Sequence, residues 1–188
     1  MEHSVYKKFI RYFLLAACLL LLFAAAIVVV FDAFYHYHGP VFGLKAVVTK
    51  SEKQCIGTIR NFEYDSVRCG SSTAENYNNS WFDEAFGGKT VKAIKSSATA
   101  ADLHYYLEEA FVARQIRHVF YSLDLFSLDG DPETNFVNDS MPLYLFDRNI
   151  LNDIKYLWIK DVLFEDVPFL LAMNLTGGYD EGSSYNWW

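Results

Sequence analysis

Glycine and proline are sparse in this sequence, ten and four residues in 188, and neither clusters with serine into a linker. With no repeat period and no low-complexity tract, nothing divides the chain into several globular units. No glycine-rich, phosphate-cradling loop is present, which weighs against a flavodoxin-like phosphate binder. Only three cysteines occur, and no Cys/His spacing fits a metal site, so neither metal nor cofactor is expected. Basic residues are scarce in the C-terminal part. Residues 32–188 carry 13 Lys/Arg against 22 Asp/Glu, a net charge of −9, and such a surface repels a phosphate backbone, which excludes nucleic acid as the main partner. What the sequence does have is apolar mass. It is 52% hydrophobic and 18% aromatic, too apolar for a disordered chain.

One charge-free run dominates. From Phe13 to Phe31, 19 residues carry neither a charge nor a side-chain amide. At ~1.5 Å per residue they match a hydrocarbon core roughly 30 Å thick. Lys7, Lys8 and Arg11 precede the run and Asp32 follows it. Positive flanks stay on the cytoplasmic side, so the expected topology is single-pass in the cell membrane with the C-terminal domain extracytoplasmic. A cleaved signal peptide would have a shorter apolar region and small residues beyond it, which Phe31-Asp32-Ala33-Phe34 does not offer. Leu15-Ala16-Ala17-Cys18 mimics a lipoprotein box, but apolar residues continue well past the cysteine. The expected organisation is a basic cytoplasmic segment 1–12, a transmembrane helix 13–31, a membrane-proximal segment 32–62 and an α/β domain 63–188.

The membrane-proximal segment opens Asp32-Ala-Phe-Tyr-His-Tyr-His-Gly-Pro40, and its rings suit the headgroup depth of a bilayer. His36 and His38 share a face in an extended chain, and interfacial packing explains them better than a metal pair. From Tyr64 the pattern alternates. Tyr64 to Cys69 reads as a strand stopping at Gly70-Ser71-Ser72. Ser80-Trp-Phe-Asp83 opens a short helix that ends at Gly87-Gly88, and Thr90 to Ile94 is a second strand. Thr99 caps a longer helix with Asp102 at its third position. Leu103, Tyr106, Leu107, Ala110 and Phe111 form its apolar stripe. Arg117 to Leu123 is a third strand ending at Asp124. This order implies parallel pairing with right-handed crossovers. Asn149 to Phe164 reads as helix, and no fourth strand pattern follows, so the sheet is thin and the sequence looks cut short. Cys55 and Cys69 are a possible disulfide in an oxidising compartment, while Cys69 also reads as a small buried hydrophobe at a strand end.

Ligands of an open parallel sheet bind at the carboxyl ends of its strands. Three polar sets fall there: Gly70-Ser71-Ser72, Ser96-Ser97 and Asp124. A serine beside a turn exposes its hydroxyl next to backbone N–H groups that can stabilise an oxyanion. Asp129, Asp131 and Glu133 lack the spacing of a calcium loop and read as an acidic turn.

Asp65-Ser-Val-Arg-Cys-Gly-Ser-Ser-Thr-Ala-Glu-Asn76 resembles the first block of SGNH (GDSL-like) hydrolases. It is more closely similar to a group of membrane-anchored bacterial envelope proteins, themselves distantly similar to the D-alanyl transfer protein of teichoic-acid operons. Ser80-Trp-Phe-Asp83, Tyr144-Leu-Phe-Asp147 and the segment from Asn152-Asp153 to Lys160-Asp161 extend the likeness over nearly the whole chain. The resemblance implies a partial three-layer parallel-sheet domain, SGNH or flavodoxin-like, truncated after its third strand. It makes Ser72 the nucleophile and aligns Ser71 with the aspartate before it. Gly70, Asn76, Ser97 and Asp124 become the oxyanion and pocket residues, and an envelope polymer the substrate class.

Three departures bear on activity, and the first is Ser97-Ala98 where the family's second block supplies a glycine N–H to the oxyanion hole. Asp124 stands where the family has an asparagine, and an ionised carboxylate cannot donate a hydrogen bond. The family's base comes from a C-terminal Asp-x-x-His, yet the histidines here are His3, His36, His38, His104 and His118. A serine without a base in reach is a poor nucleophile. The sequence therefore reads as an acyl esterase or acyltransferase lineage that is inactive in this chain, with a non-catalytic envelope binding protein as the alternative.

Overall fold

The charge-free run folds as one helix, α1 (Glu2–Phe31). Its Val5–Phe31 portion, 27 residues, is long and apolar enough to cross a membrane, and only 11% of its apolar window is buried against the rest of the protein. The computed structural model describes residues 2–48, 50–128, 142–178, 180, 182 and 185–187. The acidic turn at Asp129, Asp131 and Glu133 lies outside the described residues.

Residues 32–62 are part of the folded domain. They contain a second helix, α2 (Ser51–Asn61). Its Cys55, Ile56 and Ile59 are buried in one cluster with Phe34, Tyr35 and Phe62. Sequence reading missed α2 because Ser-Glu-Lys-Gln-Cys-Ile-Gly-Thr-Ile-Arg-Asn has few strong helix formers and a central glycine. Packing supplies the stability that propensity does not.

The sheet has three parallel strands: β1 (Ser66–Gly70), β2 (Thr90–Ile94) and β3 (His118–Tyr121), in the order β2-β1-β3. Arg68 is paired in register with Lys92 on one side and Phe120 on the other. The parallel pairing follows the alternation of strands and helices in the sequence, since parallel neighbours need crossover segments. Successive side chains alternate between the faces. Val67, Cys69, Val91 and Ala93 turn to the face covered by α2 and by α5 (Ala100–Ala113), where they meet Leu103, Tyr106 and Ala110. Thr99 caps α5 as expected. Its hydroxyl accepts from the Asp102 N–H while the Asp102 carboxylate accepts from the Thr99 N–H, an arrangement worth about 1 kcal/mol. Phe111, expected in the apolar stripe, is exposed, because the stripe buries only Leu103, Tyr106 and Ala110 fully.

Two short helices, α3 (Ser72–Glu75) and α4 (Asn79–Phe86), connect β1 to β2. The Phe82 and Phe86 rings of α4 pack at a tilt, their centroids 4.8 and 4.9 Å from that of Phe120, on the second face. The expected helix from Asn149 to Phe164 is broken. A 3-10 helix (Asn152–Trp158) is followed by an extended Ile159, a π-helical turn (Val162–Asp166) and then α6 (Val167–Leu175), with Pro168 in its first turn. Proline there costs no hydrogen bond, since the first N–H groups of a helix have no intrahelical partner. Cys55 and Cys69 are both free thiols; Cys55 donates to the Lys92 carbonyl across the α2–β2 contact.

Candidate functional site

Three polar groups converge at the carboxyl edge. The Ser71 hydroxyl donates to Asp124 Oδ2 at 2.5 Å, and the Thr73 hydroxyl donates to Oδ1 of the same carboxylate at 3.3 Å. The two hydroxyls are 3.1 Å apart. Ser71 is buried in the extended position before α3, whereas Ser72 is the first residue of α3 and exposed. The cluster therefore runs Ser71–Asp124–Thr73 and leaves Ser72 out. Asn76 closes α3 and is exposed. Ser97 stands exposed at φ 52° in the turn after β2, a turn tied to the N-terminus of α2 where Glu52 accepts from the Ser96 N–H at 2.5 Å.

Gly70 serves close packing at the strand end. It is not among the glycines of positive φ. A Cβ there would lie 2.6 Å from Ala74 Cβ and 2.8 Å from Ser122 Cβ. Glycine lets α3 and the segment after β3 close onto the strand end, which brings Ser71 within reach of Asp124.

No histidine joins this edge. His104 pairs with Glu108 at 3.3 Å on the surface of α5, and His118 opens β3 in register with Ser66, at the amino end of the sheet. His3 lies in the first turn of α1. His38 bonds the carbonyls of Gly39 and Val29. His36 has a carboxylate partner, with Nε2 3.0 Å from Asp153 Oδ2, both side chains buried. That pair lies at the opposite end of α2 from the α3 contact. The first residue of α2, Ser51, donates to the Glu75 carboxylate at the end of α3, whereas its last, Asn61, donates to the His36 carbonyl at 3.2 Å. Eleven residues at ~1.5 Å rise place these contacts about 15 Å apart.

Sequence reasoning missed two further polar clusters. At the end of α1, the fully buried Asp32 accepts hydrogen bonds from the N–H groups of Tyr37 (2.6 Å) and His38 (3.0 Å) and from the Tyr156 hydroxyl (2.9 Å). The same Tyr156 oxygen accepts from the Phe34 N–H. Burial raises the Asp32 carboxyl above its ordinary value, against the pull of these donors. The second cluster was legible: Ser-Val-Arg-Cys and Thr-Val-Lys-Ala place Arg68 and Lys92 at matching strand positions. Both are buried side by side on the α4 face. Arg68 donates to the Ala74 carbonyl and faces the Tyr77 and Phe82 rings, while its Nε and Nη2 have no partner among the described residues. Burial lowers Arg68 to about 10 and Lys92 to about 8, the latter helped by the charge of Arg68. Lys92 donates to the Glu75 carbonyl and lies under the Trp187 ring. No three His, Cys, Asp or Glu side chains among the described residues are grouped to hold a metal.

No family model, curated protein or solved structure matches this chain.

Proposed function

We propose that this chain is a single-pass, membrane-anchored envelope protein whose extracytoplasmic domain derives from SGNH-type acyl esterases or acyltransferases and does not turn over esters. The strand order β2-β1-β3, all parallel, supports the lineage, because it is the first half of the doubly wound order in which ligands meet the carboxyl edge. The long apolar helix with Lys7, Lys8 and Arg11 at its start supports the anchor and its direction.

One observation carries the loss of turnover: the polar groups at the edge are committed to each other. Asp124, at the asparagine position of the resemblance, is taken up by Ser71 and Thr73 and presents acceptors where an oxyanion needs donors. The His36–Asp153 pair is the right chemistry for a base but sits at the opposite end of α2 from the α3 contact. Ser72 keeps an exposed hydroxyl with no base beside it among the described residues, and the site is left to bind a polar group of an envelope polymer without cleaving it. Purified full chain should therefore resist a fluorophosphonate probe and leave p-nitrophenyl acetate at its background rate. Labelling that disappears in Ser72→Ala would overturn the proposal.

A further inference from the structure

α1 is not a bare tether, because the domain runs back along it. The Trp158 indole N–H donates to the Leu21 carbonyl at 3.4 Å. Leu21 lies ten residues before the end of α1, about 15 Å at the helical rise. Ala25 and Val28, between them, are buried against the 3-10 helix and the π-helical turn. The helix from Arg11 to Phe31 is itself about 30 Å long, the thickness of one hydrocarbon core. A bilayer that takes up α1 from Arg11 onward thus reaches Phe31 and has Trp158 beside it, below its surface.

The segment after Trp158 is built for such surroundings. Every residue of α6 except Asn174 is apolar, and Asn174 is spent inward, donating to the Leu170 and Lys45 carbonyls and accepting from the Lys45 N–H. Val167 and Leu170 face the domain and are buried. A helix on a water-facing surface carries charge on its other side. Here the outer side shows Phe169 and Leu175, with Phe164 one turn earlier, exposed by 45%, 79% and 68%. Asn174 also holds the loop that raises Phe42, 81% exposed, next to the end of α6. Lys155 and Lys160 flank Trp158 with stems long enough to carry their charges up to the headgroups. Asp161 and Glu165, both exposed, confine the element to the interface and stop it from crossing.

We propose that the segment from Trp158 to Leu175 is a second membrane element, seated in the lipid leaflet into which the C-terminal half of α1 runs. This rests on the reading of α1 as a span. The occupant of the exposed face is lipid. The exposed Phe164, Phe169 and Leu175 follow on the Trp158 contact with α1, so they meet the lipid that surrounds α1 there, and a water-soluble partner could not follow α1 to the level of Leu21.

The test uses the full chain in phosphatidylcholine–phosphatidylglycerol vesicles, in a Cys18→Ala background with Cys55 and Cys69 buried. A fluorophore is placed on Phe169→Cys, Leu175→Cys, Leu22→Cys in the span, or Glu84→Cys on α4, across the sheet from α2. Doxyl groups on the acyl chains and aqueous iodide serve as quenchers. Labels at 169 and 175 should lose fluorescence to the doxyl lipids comparably to the label at 22, with iodide quenching only the label at 84. Quenching at 22 combined with iodide-sensitive labels at 169 and 175 would overturn this proposal and leave the span intact. Absence of lipid quenching at 22 would remove the span and the proposal together. Labels at 169 and 175 shielded from both quenchers would mean that protein covers this face, which also overturns it.

Discussion

Helix propensity and packing make opposite predictions for Gly57→Ala in α2. In a free helix the change gains about 1 kcal/mol, because glycine loses more backbone freedom on folding. Here the added Cβ would collide with the Phe34 carbonyl oxygen and stand 2.7 Å from the carbonyl carbon and oxygen of Tyr35. All three are main-chain atoms, so no rotamer change relieves them. Tyr35 has little room to move, since it is held at φ 56° by its Asp32 turn and by its hydroxyl on Val47. Overpacking a core typically costs about 1–3 kcal/mol even where side chains yield. Against backbone the upper half of that range applies, which leaves a net loss of about 1–2 kcal/mol after the propensity gain. Urea unfolding of the full chain in detergent micelles, followed by tryptophan fluorescence, would read this as a lower midpoint at unchanged slope. An equal or higher midpoint for Gly57→Ala would refute the close seat of α2 on the Phe34–Tyr35 backbone. The account of how the domain grips the end of α1 would fall with it.

Asp32→Asn should change the pH dependence of stability. Burial raises the Asp32 carboxyl above its ordinary 3.8, so its contribution is fully present below about pH 4 and is lost as pH rises through the folded value. The substituted amide keeps an acceptor for the Tyr37 and His38 N–H groups and cannot ionise, so the stability of the variant relative to the parent chain should rise between pH 4 and 7, by about 1.4 kcal/mol per tenfold change in the Asp32 proton affinity. A difference that stays flat over that range would show that the carboxylate carries no burial penalty. Topology is checked by alkaline phosphatase fused after Trp188, expected to be active in a bacterial host; an inactive fusion, with an active cytoplasmic reporter at the same place, would reverse the orientation.

Periodicity made part of this fold readable, and long-range contacts decided the rest. Thr90 to Ile94 could be read to the residue because an alternating run between glycine and serine turns has one use. Thr99 and Asp102 announced α5 through local hydrogen bonds that need no tertiary partner. The Gly70-Ser71-Ser72 edge was legible as a place, since a strand that ends in small polar residues must turn there. Which serine meets Asp124 was not, because that depends on Ala74 and Ser122 closing over Gly70. α2 and the Asp32 cluster were invisible for a related reason. α2 is held by residues tens of positions away, such as Phe34 and Lys92, and the Asp32 cluster by Tyr156, more than a hundred away; no local pattern reports a bond between Tyr156 and Asp32.

That cluster also decides how the anchor and the candidate site relate. A charged residue just after an apolar run is ordinarily read as a membrane-exit signal in contact with water. Asp32 is instead fully buried at φ 37°, and its carboxylate organises the next six residues through two backbone N–H groups while Tyr156 bridges it to the Phe34 N–H. An unpaired buried carboxylate costs far more than this arrangement, so the three donors cannot be given up one at a time without penalty. Chain direction at the end of α1 is therefore fixed by the same bonds that fix Tyr156, and through Asn61 and Gly57 the junction is fixed against α2. Because α2 runs from the Glu75 contact to the His36 contact, it holds the end of α3 one helix length, about 15 Å, from the junction. A rigid junction makes that distance a property of the fold, where a flexible stalk would have made it an average.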